Sequence, residues 1–136
     1  MIPAGPSLSV LLINEQAEES KLVSTNLRGF FPDCRIEAVY SSDEAILWSA
    51  RSDWHLILVD ENLSPRSGMD ILQELKRTCP YAAIILQTDR SDSTSALHAL
   101  QQGADFLLFK NSPSFITELL LDRKTVLAPS HIFYIS

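Results

Sequence analysis

The sequence predicts a doubly wound α/β fold, a five-stranded parallel sheet with helices on both faces. Short apolar runs alternate with helix-period segments five times along the chain. Several of these runs are continuous in apolar character, as strands covered on both faces must be, and each is followed by polar residues.

The first run, residues 8–13, stops at Asn14-Glu15, and a helix follows to about Gly29 with Ala17, Leu22, Val23 and Leu27 on its inner face. Residues 35–40 alternate instead, which suits an edge strand with one wet face. Ser42 or Asp43 then caps a helix carrying Ala45, Ile46 and Leu47. The third strand, 55–59, ends at Asp60, and beyond a polar loop a helix opens near Gly68 with Ile71, Leu72 and Leu75 facing inward. The fourth, 83–87, ends at Thr88, and its helix, about 93–102, closes at Gly103, a residue type favoured just past a helix end. The fifth, 105–109, ends at Lys110. Ser112-Pro113 then supplies a cap and a first-turn proline for a last helix to about Lys124.

These elements make one domain over residues 8–127. Residues 1–7 are expected to be disordered, and 128–136 form a C-terminal tail or the start of a linker. A chain of 136 residues, 46% of them hydrophobic, can bury roughly 65–70% of its unfolded surface without a disulfide or metal staple. Eleven basic residues against 17 acidic ones give a formal charge of −6, and no basic run of five occurs. Nucleic acid and anionic membrane surfaces, both held by clustered Lys and Arg, are therefore not expected as partners. The longest apolar stretches, such as 82–86 and 106–109, fall far below the ~20 residues that cross a bilayer. With no secretory leader and two widely spaced cysteines, Cys34 and Cys79, the expectation is a cytoplasmic protein with reduced thiols.

In an open parallel sheet, ligands bind outside the carboxyl ends of the strands. The residues there are Asn14-Glu15, Asp60, Thr88 and Lys110: two carboxylates, a hydroxyl and an ammonium group beside an amide. This set suits phosphoryl transfer to a carboxylate. Mg²⁺ takes one or two carboxylates, waters and phosphoryl oxygens, a lysine neutralises another oxygen, and a threonine hydroxyl donates to a third. The turn 14–20 has no glycine to let backbone amides approach a phosphate, which argues against a flavin or nucleotide site.

These residues resemble, over about 8–124, the receiver domain of two-component response regulators. The similarity lies in an acidic pair position after strand one, Asp60 with Gly68 eight residues on, Thr88 after strand four, Gly103-Ala104-Asp105 before strand five, and Lys110 after it. The resemblance implies strand order 2-1-3-4-5, two helices on one face and three on the other. It also implies phosphorylation of Asp60 by a sensor histidine kinase or a phosphotransfer protein, with Mg²⁺ as cofactor. Glu15, Asp60 and the backbone carbonyl of Asn62 would hold the metal, Asn14 would act weakly or through water, and Thr88 and Lys110 would bind the phosphoryl oxygens. At most such a chain catalyses its own phosphorylation and dephosphorylation on Asp60; it is not a metabolic enzyme.

Several positions depart from the family pattern. Asn14 removes one charge of the acidic pair, worth roughly tenfold in metal affinity if ~1.4 kcal/mol of the lost attraction survives screening. Ser64 stands where relatives carry proline, with Pro65 one step later. Leu107 replaces the aromatic switch residue, and the neighbouring Phe106 faces the other side of a period-two strand. Asn111 replaces the proline after the lysine, so a trans peptide is expected there. Glu61 and Asp89 are expected to be solvated loop acids, and Arg90 lies near the site mouth or is simply exposed. His55, His98 and His131 lack metal-ligand spacing, and Trp48 and Trp54 fit structural positions. In the last helix Phe115, Ile116, Leu119 and Leu120 face the core. Leu121 broadens this stripe towards a dimer or partner surface formed with the fourth helix and fifth strand. A phosphorylatable receiver is the first functional reading. The alternative, motivated by Asn14, Leu107 and Asn111, is a degenerate receiver that works as a phosphorylation-independent interaction module.

Overall fold

A computed structural model describes residues 8–89 and 93–109. The expectations for residues 1–7, Arg90, Lys110, Asn111, the last helix and the tail with His131 lie outside the described residues.

The chain runs β1 (Ser9–Ile13), α1 (Ala17–Phe30), β2 (Arg35–Val39), α2 (Ser42–Ser49), β3 (Leu56–Asp60), α3 (Gly68–Thr78), β4 (Ala83–Thr88), α4 (Ser93–Gln102) and β5 (Phe106–Phe109). The five strands form one parallel sheet in the order β2-β1-β3-β4-β5. The expected architecture and strand order both hold. β3 and β4 are buried at every position, whereas β2, at the edge, is buried only at Val39. The continuous apolar runs of β3 and β4 therefore lie inside the sheet and the alternating run of β2 lies at one rim, while the short apolar run of β5 forms the other edge.

The pleat divides the core into two layers. Val10, Leu12, Leu58, Ile85, Phe106 and Leu108 pack with Val23 and Leu27 of α1. Leu11, Ile13, Ile57, Val59, Ile84 and Leu86 pack on the opposite face with Ala45 of α2, Ile71, Leu72 and Leu75 of α3, and Ala99 of α4. Leu107 joins this second layer, so Phe106 does face away from it. Cys34 and Cys79 are free and belong to different layers, with the sheet between them, too far apart in the packing for a bridge.

Two helix faces differ from expectation. In α1 the buried stripe is Ser20, Val23 and Leu27, spaced three and four apart; Leu22, about 100° round the helix from Val23, is 65% exposed, and Ala17 is exposed in the first turn. In α2 the stripe is Ser42, Ala45 and Ser49; Ile46 is only partly buried and Leu47 is exposed. Small residues, not the largest apolar ones, are the buried ones there. The α2 cap is also shifted by one residue. Ser41, in extended conformation, accepts from the Glu44 amide at 3.1 Å. The signal was present in the sequence as the S-x-x-E spacing of Ser41 and Glu44.

Several other side chains are structural, as expected. His55 Nδ1 accepts from the Ser9 amide at 2.9 Å. The Trp54 indole donates to the Trp48 carbonyl at 3.0 Å, and Arg35 and Arg51 lie over the Trp54 and Trp48 rings. Gly103 takes φ +118°, which lets the chain leave α4 and enter β5. Among the described residues no helix is long and apolar enough to cross a membrane.

Candidate functional site

The parallel registers set Ile13 beside Val59 and Asp60 beside Gln87, so the residues at the ends of β1, β3 and β4 share one edge of the sheet. Asp60 and Thr88 are themselves the last strand residues, because Asp60 still pairs with Gln87 and Thr88 with Phe109. Asn14, Asp60 and Thr88 are all buried at this edge, and Glu15 is exposed beside them.

Asp60 is 1% exposed, and its Oδ1 accepts from the Asn62 amide at 2.8 Å. That bond curls the chain straight after β3 and fixes the carboxylate from its own loop. The rest of the β3–α3 loop is equally constrained. The Glu61 amide donates to the Gln87 carbonyl at 2.8 Å, and the Glu61 carbonyl accepts from Leu63 at 3.0 Å and from Gly68 at 2.9 Å. Further along, where Ser64 and Pro65 replace the familiar proline position, the Ser64–Pro65 peptide is cis. Here the Ser64 carbonyl accepts from the Ser42 amide at 3.0 Å, and the Ser42 hydroxyl accepts from the Arg66 amide at 3.0 Å. Ser42 is therefore no cap; it ties the loop to α2. Ser67 caps α3 by accepting from the Asp70 amide.

Asn14 leads into α1. Its Oδ1 accepts from the Gln16 amide and its Nδ2 donates to Glu19 Oε2, each at 2.8 Å. The amide is thus committed to the turn, which leaves Glu15 as the acidic side chain contributed by this loop. Among the described residues no three His, Cys, Asp or Glu side chains converge as a metal site. The oxygen donors at hand are the carboxylates of Asp60 and Glu15 and the Asn62 carbonyl. Mg²⁺ fits such a set, since it keeps several waters and takes only one or two carboxylates.

Glu61 overturns its expected role. Instead of a solvated loop acid it is buried, 8% exposed, and Thr88 donates its hydroxyl to Glu61 Oε2. Alternation along a strand no longer governs Glu61, because the regular strand has ended at Asp60 and Asn62 has turned the chain. Register could have found the contact: if Asp60 sits beside Gln87, the next pair is Glu61 and Thr88. Asp89 is exposed, as expected. Glu61 also borders an open groove of about 370 Å³ between the β3–α3 loop and α4, with Ser67, Asp70, Thr94, Ser95 and His98 along its walls.

The sequence pattern described as "Response regulator receiver domain" matches residues 10–120. The transcriptional regulatory protein ZraR of Salmonella typhimurium is 24% identical over 102 residues, which are 74% of this chain and 23% of that protein. The chain thus spans about a quarter of the length of the curated relatives it matches. Among solved structures, the CheY-like response regulator receiver domain protein from Methanospirillum hungatei superposes with a TM-score of 0.79 at 20% identity, covering 90% of this chain and 94% of that one. A Burkholderia pseudomallei response regulator, solved with a phosphorylated aspartic acid, calcium ion and citrate, gives 0.72 at 20% identity, covering 87% and 71%. These structures share the fold, and the match over 10–120 carries the assignment: the chain belongs to the response regulator receiver domains of two-component signalling systems.

Proposed function

We propose that Asp60 is the phosphoryl acceptor of this receiver and takes its phosphoryl group from a phosphohistidine of a sensor histidine kinase or phosphotransfer protein. The observation that carries the reading is the Asp60 carboxylate itself, buried at the end of a central strand and held through Oδ1 by the Asn62 amide. A buried carboxylate fixed in one orientation is a preorganised nucleophile. In the transfer, an Asp60 oxygen forms the new bond to phosphorus, the bond from phosphorus to the histidine nitrogen breaks, and the imidazole nitrogen keeps its electron pair and takes a proton. The solved Burkholderia relative with a phosphorylated aspartic acid supports the same chemistry here.

Glu15, Asp60 and the Asn62 carbonyl would hold Mg²⁺, with Asn14 acting at most through water. The ion supplies charge neutralisation on the phosphoryl oxygens. Thr88 donates its hydroxyl to a phosphoryl oxygen, and Lys110 neutralises another. Leu97 and Leu100 of α4 are exposed, which supports the α4 side as the surface for a partner or a second copy.

Incubation with Mg²⁺ and acetyl phosphate tests the reading by intact mass. One phosphate is expected on the wild type and none on Asp60→Ala. A wild type that takes up no phosphate, or an Asp60→Ala variant that takes up as much, overturns it and leaves the constitutive interaction module in its place.

A further inference from the structure

We propose that Glu61 is a positioning residue that holds the Thr88 hydroxyl, and that an incoming phosphoryl group must take this hydroxyl from it. The inference rests on the reading of Asp60 as acceptor and adds a residue to that site.

Three observations carry it. The Glu61 backbone is held at both ends: its amide is bound to Gln87 of β4, and its carbonyl is bound by Leu63 and Gly68. With the backbone pinned beside β4, the buried side chain is delivered to Thr88, the next residue after Gln87. The second observation is the contact itself, in which the threonine donates and the carboxylate accepts. A hydroxyl has one proton to give, so donation to Glu61 and donation to a phosphoryl oxygen on Asp60 exclude each other. Third, Glu61 borders the groove under α4, where Ser67, Thr94 and His98 stand as polar neighbours, with the Asp70 carboxylate also on its wall. When Thr88 turns to the phosphoryl group, the Glu61 carboxylate loses a donor in a buried setting and meets added negative charge nearby. Both effects drive it towards the groove. Phosphorylation is in this way coupled to α4 through one side chain.

The full chain, the Glu61→Gln and Glu61→Met variants, and each of these on a Thr88→Val background are titrated with Mg²⁺ and beryllofluoride, an acyl-phosphate mimic, and followed by fluorine NMR. Glu61→Gln keeps the shape and an acceptor oxygen but removes the charge; Glu61→Met removes the acceptor. Beryllofluoride binding is expected to tighten several-fold in Glu61→Gln and about tenfold in Glu61→Met, as a charge-assisted bond is weakened and then lost. Neither gain is expected on the Thr88→Val background. In the free protein, the Thr88 methyl resonance is expected to report one side-chain rotamer in the wild type and averaging in Glu61→Met.

Binding in the wild type without tightening in either Glu61 variant overturns this proposal and leaves Asp60 as acceptor. Equal tightening on the Thr88→Val background also overturns it, because charge alone would then explain the gain. No binding in the wild type or in any variant overturns the acceptor reading, and this proposal with it.

Discussion

A β-carbon on Gly68 would stand 2.2 Å from the carbonyl oxygen of Asp60 and 2.8 Å from its carbonyl carbon. The first residue of α3 is therefore packed directly on the backbone of the candidate acceptor, and the obstacle is main chain that cannot swing aside. Gly68→Ala is expected to cost about 1–3 kcal/mol by overpacking, as α3 or the acceptor loop is pushed away. Urea unfolding measures the cost, and an unchanged midpoint would contradict so close an approach. The same variant is expected to take up phosphate more slowly, since the Asn62 bond that aims Asp60 lies in the displaced loop.

Asp60→Asn separates chemistry from folding. The amide oxygen still accepts from Asn62, so the circular dichroism spectrum and melting point should stay close to those of the wild type. Phosphate uptake from acetyl phosphate should vanish in the intact-mass spectrum, and uptake that persists would move the acceptor elsewhere.

Asn14→Asp restores a charge at the end of β1. An aspartate still accepts from the Gln16 amide, so the turn into α1 survives, although Glu19 exchanges a donor for a like charge. Mg²⁺ affinity is expected to rise about tenfold, for roughly 1.4 kcal/mol of added attraction after screening. Glu15→Gln should lower it by a similar factor. Calorimetric titration at two salt concentrations checks both, and the difference should shrink at the higher salt.

Asp105 Oδ2 accepts from the Ile84 amide at 2.8 Å and from Lys76 Nζ at 2.9 Å, joining the end of α3 to the β4 and β5 strands. Asp105→Ala leaves the Ile84 amide without that acceptor and should cost about 1–3 kcal/mol. Lys76→Ala removes only a partly exposed ion pair and should cost about 0–1 kcal/mol. Denaturant midpoints that rank these two variants equally would show that the backbone contact contributes little.

Burial, the largest cause in each case, raises the Cys34 and Cys79 thiols above their ordinary value of 9.0; Arg28 pulls Cys34 partly back, and Asp53 pushes Cys79 further up. A thiol that ionises more easily in the unfolded chain stabilises the fold fully below pH 9.0 and loses that contribution as pH rises through the higher native value. Melting temperatures should therefore decline above pH 9.0, and Cys34→Ala with Cys79→Ala should flatten the decline. A melting temperature that holds steady through this range would argue that the thiols ionise as freely folded as unfolded.

Much of the fold was legible in the sequence because strand and helix periods are local properties. The first run read as a strand covered on both faces, the alternating 35–40 as an edge, and Ile71, Leu72 and Leu75 as the inner face of α3; all three hold. The misread helix faces share one cause. Leu22 and Leu47 are apolar enough to suggest burial, but which side of each helix meets the sheet is a tertiary property, and it buries Ser20 and Ala45 instead.

The candidate site divides along the same line. The sequence by itself determined that carboxylates and a hydroxyl end the strands of a parallel sheet, and so marked that edge as the candidate site, since strand ends are marked by where apolar runs stop. Only the tertiary structure decided that Glu61 turns inward onto Thr88, that Asn14 spends its amide on the entry to α1, and that Gly68 presses on Asp60. The first depends on the lateral register of neighbouring strands, and the other two on the path of a loop. Pairing between residues far apart in sequence sets the register, and the loop paths close through bonds such as Gln16 to Asn14 and Asn62 to Asp60, which hydrophobic periodicity does not encode.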